Sequence, residues 1–200
     1  MSEQNNEKSL EKCLETIKDI RSIRNYLEKP IAEDVLKSIV DCARMAPTAR
    51  NIQPWEFIVV TDQKLLKKIS EIIPQGEFIK NAAAGIMVFC HKNTEYFLED
   101  GSAATQNILV SARFHGIKSC WIAGYQGPYY ENDDIPMCEG IPCSPIPDLY
   151  TLQSDLKKEF EVPEGFELIS VVSLGYSNDN PPADKRALED VIHWNKFQPK

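Results

Sequence analysis

Four strand-like segments constrain this chain more than any other feature: 57–61 (FIVVT), 85–90 (GIMVFC), 117–123 (IKSCWIA) and 168–176 (LISVVSLGY). The runs FIVVT and GIMVFC carry apolar residues at consecutive positions rather than at alternate ones. That pattern belongs to a strand covered on both faces. The intervening sequence has helical spacing. Leu10, Cys13, Leu14 and Ile17 predict an amphipathic helix over 7–20. Pro30 stands at the mouth of a second helix with a stripe of Val35, Leu36, Ile39, Val40 and Ala43, and Pro47 is expected to end it. Asp62 is placed to cap a third, with Leu65, Leu66, Ile69 and Ile73 on its inner face. A long helix is expected over 98–115, with small residues at 101–104, and a shorter one is marked by Leu149, Leu152, Leu156 and Phe160. A C-terminal segment follows at 188–197. Strands alternating with helices give a layered architecture. The pattern alone leaves open whether the sheet is parallel or mixed.

Length and charge narrow the function. Two hundred residues suit one domain with a real core. The net charge of -8 argues against a nucleic-acid partner, which is met by a basic face. Residues 1–12 are polar, so no secretory signal is expected, and the longest apolar stretch, 82–90, is too short to span a bilayer. Cys13, Cys42, Cys90, Cys120, Cys138 and Cys143 then read as reduced thiols of a cytoplasmic protein rather than a disulfide framework. Residues 126–149 hold five prolines and form an irregular excursion of a length associated with function or mobility.

Four segments carry possible chemistry. Arg21, Ser22 and Arg24 put two guanidinium forks and a hydroxyl within four residues, a donor set suited to phosphate. The plainer alternative is a solvated turn that interacts with the preceding helix C-terminus. Residues 46–55 (APTARNIQPW) form a stiff polar loop, a low-entropy platform for the edge of a planar heterocycle, or else a simple helix-to-strand connection with Trp55 in the core. Residues 116–124 (GIKSCWIAG) end in small residues that allow close backbone approach to a ligand, or merely turn the chain. Lys185 and Arg186 precede LEDVIHW, as a phosphate contact or as a solvated basic pair.

In this order the four segments resemble the nitroreductase flavoproteins. The loop is the most specific part: a family pattern Pro-Ser-x-x-Asn-x-Gln-Pro-Trp is matched throughout except for Thr48 in place of Ser. The likeness runs from about residue 19 to 197 and omits 126–155. The resemblance implies an α+β fold, a three-layer α/β/α sandwich around a mixed, mainly antiparallel sheet. It implies one domain over 1–200 with an irregular insertion at about 126–155, and an intertwined homodimer with FMN at the interface. It assigns Arg21, Ser22 and Arg24 to the phosphate and pyrimidine edge of FMN, with Lys185 and Arg186 completing the phosphate site. It assigns Pro47, Thr48, Ala49 and Asn51 to the partner's flavin, and the turn of Ile122, Ala123 and Gly124 to backbone donors near flavin N5. The implied activity is electron transfer from NAD(P)H to a small oxidised acceptor, such as a nitroaromatic or quinone, by a ping-pong mechanism with no protein nucleophile. Two departures from the family pattern stand out: Ile20 occupies a position that is often basic, and Lys185 and Arg186 are adjacent rather than separated by one residue.

Rival readings are few. No glycine follows the first strand, where the chain reads DQKLLKKIS, which excludes a dinucleotide-binding turn, and no P-loop is present. Cys138 and Cys143 make only half of a metal set, and His91, His115 and His193 are scattered, so no metal is expected. A flavin-binding storage or sensor module without useful turnover remains open. So does a family branch acting on flavin or on a halogenated aromatic. In the 126–155 excursion, Tyr129 and Tyr130 are candidates to face the flavin.

Overall fold

The structure, a computed structural model, describes residues 3–124 and 149–198. Tyr129, Tyr130, Cys138 and Cys143 lie outside these residues. Ten elements follow one another: α1 (Glu3–Lys18), α2 (Glu33–Ala43), β1 (Trp55–Val60), α3 (Gln63–Ile72), β2 (Ala84–His91), α4 (Phe97–Phe114), β3 (Lys118–Ala123), α5 (Leu149–Glu159), β4 (Phe166–Gly175) and α6 (Leu188–Val191). Short 3-10 turns occupy Ala49–Asn51 and Pro74–Asn81.

The four strands form one sheet in the order β1-β2-β4-β3, and every neighbouring pair is antiparallel. A single parallel bridge joins Ser22 to Ser119. The GIMVFC run is continuous because β2 is covered on both faces, whereas the FIVVT expectation is corrected: β1 lies at the sheet edge, with Phe57 and Ile58 half-buried, Val59 40% exposed and Val60 buried. On β2, Ala84, Ile86, Val88 and Cys90 point into a cluster with Leu36, Ile39 and Ile108, from α2 and α4. Met87 and Phe89 point the other way, to Leu66, Ile69, Ile79 and Leu156. Helices thus sandwich an antiparallel sheet, the α+β arrangement expected above.

α4 lies close to the sheet. A β-carbon on Gly101 would meet Ile169 Cγ1 at 2.6 Å and Cys90 Sγ at 2.9 Å, so the small residues at its start permit the approach. Asp62 caps α3 as expected, accepting from the amides of Lys64 (2.7 Å) and Leu65 (3.2 Å).

Two further local expectations are corrected here. α2 starts three residues after Pro30 and ends at Ala43, where Arg44 and Ala46 donate back to Val40 and Ala43, so Pro47 does not terminate it. Leu65 is exposed, and the inner face of α3 is Leu66, Ile69 and Ile73. The amphipathic α1 helix forms as expected, and its stripe is exposed on this chain, with Leu10 60%, Leu14 48% and Ile17 48% exposed. The C-terminal segment is helical only over Leu188–Val191.

Candidate functional site

β3 is an edge strand, and its outer side organises the site. Gly124 N–H donates to the Ile169 carbonyl at 3.1 Å, continuing the ladder in which Ile122 faces Val171 and Cys120 faces Ser173. In an antiparallel ladder alternate residues bond inward and outward. Ser119, Trp121 and Ala123 therefore turn their backbone groups away from β4. The Ser119 carbonyl confirms the phase, since it accepts from Ile23 N–H at 2.9 Å. The 21–24 segment is docked there, at the start of β3. Ala123 presents an outward N–H at the other end, about 13 Å away at ~3.3 Å per residue.

This narrows the role expected of 122–124. Ile122 is buried and packs on Gly76, where a β-carbon would sit 2.8 Å from Ile122 Cδ1. Gly124 has its N–H engaged, and its carbonyl accepts from the buried Gln153 side chain of α5. Of the three residues, only Ala123 offers its amide to the outside.

At the other end, Ser22 and Arg24 are exposed and line a cleft of about 460 Å³ with Ile23, Asn25, Asp179, Asn180 and Pro181. The Arg24 guanidinium lies over the Phe78 ring, 5.7 Å from its centroid. Among the described residues, neither Arg21 nor Arg24 has a carboxylate within salt-bridge distance; the Asp179 carboxylate lines the same cleft and accepts from Asn25 Nδ2 at 2.9 Å. Cys120 lies beside this pair. Burial pushes its thiol up, while the Arg24 charge and a hydrogen bond with Ser22 pull it down.

Arg21 is placed differently. Its Nη1 donates to the carbonyls of Lys18 (2.7 Å) and Ile20 (2.8 Å), so the guanidinium caps the C-terminus of α1, and its Nε is buried without a partner. Asp19 fixes the same corner by accepting two hydrogen bonds from Arg113. That contact holds the Asp19 carboxyl below its ordinary value, with the charges of Arg113, Lys118 and Arg21 adding to it.

The 46–54 loop is tightly turned and largely exposed. Arg50 (φ 54°), Asn51 (φ 56°) and Gln53 (φ 55°) all adopt the left-handed conformation, which side-chain-bearing residues rarely occupy. Gln53 N–H bonds Thr48 Oγ1 at 3.2 Å, and Ala49 N–H bonds Asp100 Oδ1 at 3.1 Å. Ala46, Pro54 and Trp55 are buried at its ends, while Pro47, Arg50, Asn51, Ile52 and Gln53 are exposed. Thr48 and Ala49 are half-buried. Lys185 and Arg186 are exposed too; Arg186 donates to the Asp190 carbonyl at 2.8 Å, and the cleft lining reaches Pro181 without including either residue. One chain therefore joins Ser22, Arg24 and Ala123 along β3.

The Nitroreductase family profile matches residues 17–101, which span the 21–24 segment and the loop. Over 196 residues the chain is 37% identical to a protein of Archaeoglobus fulgidus designated an NADH dehydrogenase/NAD(P)H nitroreductase, covering 94% of this chain and 100% of that one. The chain belongs to the nitroreductase family. A second relative, from Methanothermobacter thermautotrophicus and of the same designation, is 34% identical and covers 92% of this chain and 87% of its own. The fold of this family member superimposes on an FMN-dependent nitroreductase from Clostridium difficile with a TM-score of 0.76 and 27% identity, covering 92% and 99% of the two chains.

Two contributors had no sequence signal that reasoning could use. Asp100 reads as an ordinary acid in the first turn of a helix, and Gln153 as one polar residue on a surface helix. Only the fold shows that both side chains are buried and bonded to candidate site backbone.

Proposed function

We propose that this chain is an FMN-dependent NAD(P)H oxidoreductase that works as a homodimer. The observation that carries the reading is the layout of β3, with an exposed Ser22 and Arg24 at one end and an outward Ala123 N–H at the other. An elongated ligand with an anionic end and a planar hydrogen-bonding end fits such an edge. When bound, FMN supplies the two-electron redox chemistry.

The chain's own residues then have separate tasks. Arg24 and Ser22 hold the phosphate, offsetting repulsion in a protein of net charge -8. Arg21 shapes that corner through α1 and reaches the anion with its Nε side at most. Ala123 N–H orients the ring edge where the redox chemistry takes place. Thr48 and Asn51 of the neighbouring chain line the ring, because the loop that carries them projects outward. Lys185 and Arg186 add positive charge as the C-terminal segment swings past the phosphate end. Donor and acceptor bind in turn over the same exposed ring face, which gives ping-pong kinetics.

The dimer also answers a packing problem. Leu188, Val191, Trp194 and Phe197 are 65%, 49%, 72% and 78% exposed, and the α1 stripe is uncovered as well. Apolar area of this kind marks an association surface. The exposed sheet edge suits a small, loosely held acceptor such as a quinone or nitroaromatic as the substrate class.

The test is an absorbance spectrum of the purified protein followed by anaerobic addition of NADH or NADPH. The expected result is a flavin spectrum that bleaches on addition and recovers with a quinone. A protein that takes up no added FMN overturns the reading. A bound flavin that no nicotinamide reduces favours a storage or sensor module.

A further inference from the structure

Asp100 is a carboxylate where carboxylates are costly. It is 5% exposed, at the first turn of α4. Its Oδ1 accepts one hydrogen bond, from Ala49 N–H 51 positions earlier in the chain, and its Oδ2 is buried without a partner. Removing a charged group from water with a single donor is unfavourable, and an apolar residue of similar size would do as well for packing. Its setting is dry: burial first, and the Asp100 charge second, push the neighbouring Cys90 thiol up to about 12.

The partner of this carboxylate is the loop that holds three left-handed residues. Strained conformations persist only where the surroundings over-determine them. Within 47–53 the other bonds are local: Asn51 N–H to the Thr48 carbonyl (3.1 Å), Ile52 N–H to the Ala49 carbonyl (3.2 Å), Gln53 N–H to Thr48 Oγ1 (3.2 Å) and Gln53 Nε2 to the Asn51 carbonyl (3.5 Å). Among the described residues, the Asp100 bond is the one hydrogen bond that joins 47–53 to a residue outside the loop, beside the packing of the buried loop ends. The anchor itself is rigid, since Gly101 presses α4 against Ile169 and Cys90.

We infer that Asp100 is a positioning residue for the flavin-contacting loop: by accepting from Ala49 N–H it holds 47–53 in the strained shape that presents Thr48 and Asn51 to the neighbouring subunit's flavin. The inference rests on the FMN reading above for its functional half. Its structural half, the holding of the loop, stands by itself.

The test compares Asp100→Ala and Asp100→Asn in the full-length protein, by amide hydrogen exchange over residues 46–54 and by FMN titration. Losing this acceptor is expected to speed exchange in the loop and weaken FMN binding by roughly tenfold or more, with exchange in β2 and β4 unchanged. Asn keeps an acceptor at the Oδ1 position and should restore both readouts to within about threefold. Adding Arg50→Gly to Asp100→Ala, which removes the left-handed penalty at an exposed position, should recover part of the affinity. Should Asp100→Ala fail to fold, Asp100→Leu, which keeps volume but offers no acceptor, takes its place. Native loop exchange and native FMN affinity in the acceptorless variant overturn the inference. So does an Asn variant as impaired as the Ala variant, because charge rather than acceptance would then matter. If the wild-type protein binds no FMN, the proposed function fails, and the exchange data alone decide whether Asp100 holds the loop.

Discussion

The central strands and the C-terminal segment of this molecule solve opposite problems. β2 and β4 are buried on both faces, and their side chains find all their neighbours within the chain. Residues 188–198 carry four large apolar side chains that remain exposed, and their recorded contacts are short-range: His193 stacks on Phe197 at 4.3 Å, and Gln198 N–H bonds His193 Nδ1 at 3.1 Å. One region is complete in a single chain; the other has the composition of a core and the exposure of a surface. The site sits between these extremes. Ser22, Arg24 and Ala123 are fixed by the sheet edge, whereas the loop and the basic pair that should complete the site point away from it.

Truncating the complete region should have the largest effect. Phe89→Ala removes a fully buried ring between β2 and α3, and is expected to lower unfolding free energy by about 3–5 kcal/mol in urea titrations. Trp194→Ala should leave the fold of each chain intact yet weaken self-association by roughly 2–4 kcal/mol, as read by sedimentation. An unfolding midpoint that drops as far as that of Phe89→Ala at equal concentration would erase the contrast between the two regions.

Within the site, Arg24→Ala should weaken FMN binding by roughly 1.5–3 kcal/mol, the value of a charge-assisted hydrogen bond. Arg21→Ala should cost less affinity and more stability, since its Nη1 is engaged with the α1 carbonyls. Equal losses of FMN affinity for the two variants would return Arg21 to the phosphate. The smallest effect belongs to Asp19. Its carboxyl is lowered in the folded state by Arg113, so its contribution is fully present above the ordinary value of 3.8 and is lost as pH falls through the depressed folded value. The pair is partly exposed, and Asp19→Asn should cost about 1 kcal/mol or less at neutral pH, with the difference from wild type shrinking in acid-denaturation curves below pH 3.8.

What the sequence made legible follows the same division. GIMVFC read as a doubly covered strand because local composition reflects local burial, whereas FIVVT has the same composition on an edge strand that is largely half-buried or exposed, so composition alone did not place it. Asp62 read as a cap because its partners are two and three residues away. The antiparallel order β1-β2-β4-β3 was not legible, since continuous apolar runs follow from coverage on two faces and not from strand direction. The α1 spacing read correctly as a helix, but spacing does not show what covers an apolar stripe, and this one is exposed on the chain. Pro47 was read as the stop of α2 although the turn at 44–46 had already ended it. The loop motif was visible as a pattern, while its left-handed geometry and the Asp100 anchor, 51 residues distant, depend on tertiary contacts. The resemblance indicated the 122–124 turn, but only the phase of the ladder singles out Ala123.

The central claim is that two chains build each site, and a mixed dimer tests it most directly. One subunit carries Arg24→Ala and the other Asn51→Ala, with different tags so that the heterodimer can be purified. If each site takes Arg24 from one chain and Asn51 from its neighbour, one site of the heterodimer is intact and the other doubly impaired. The account predicts one FMN bound per heterodimer with wild-type affinity, and weakened binding in both parent homodimers. A heterodimer in which neither site keeps wild-type affinity, each matching one parent homodimer, would mean that each chain builds its site alone, and would contradict it.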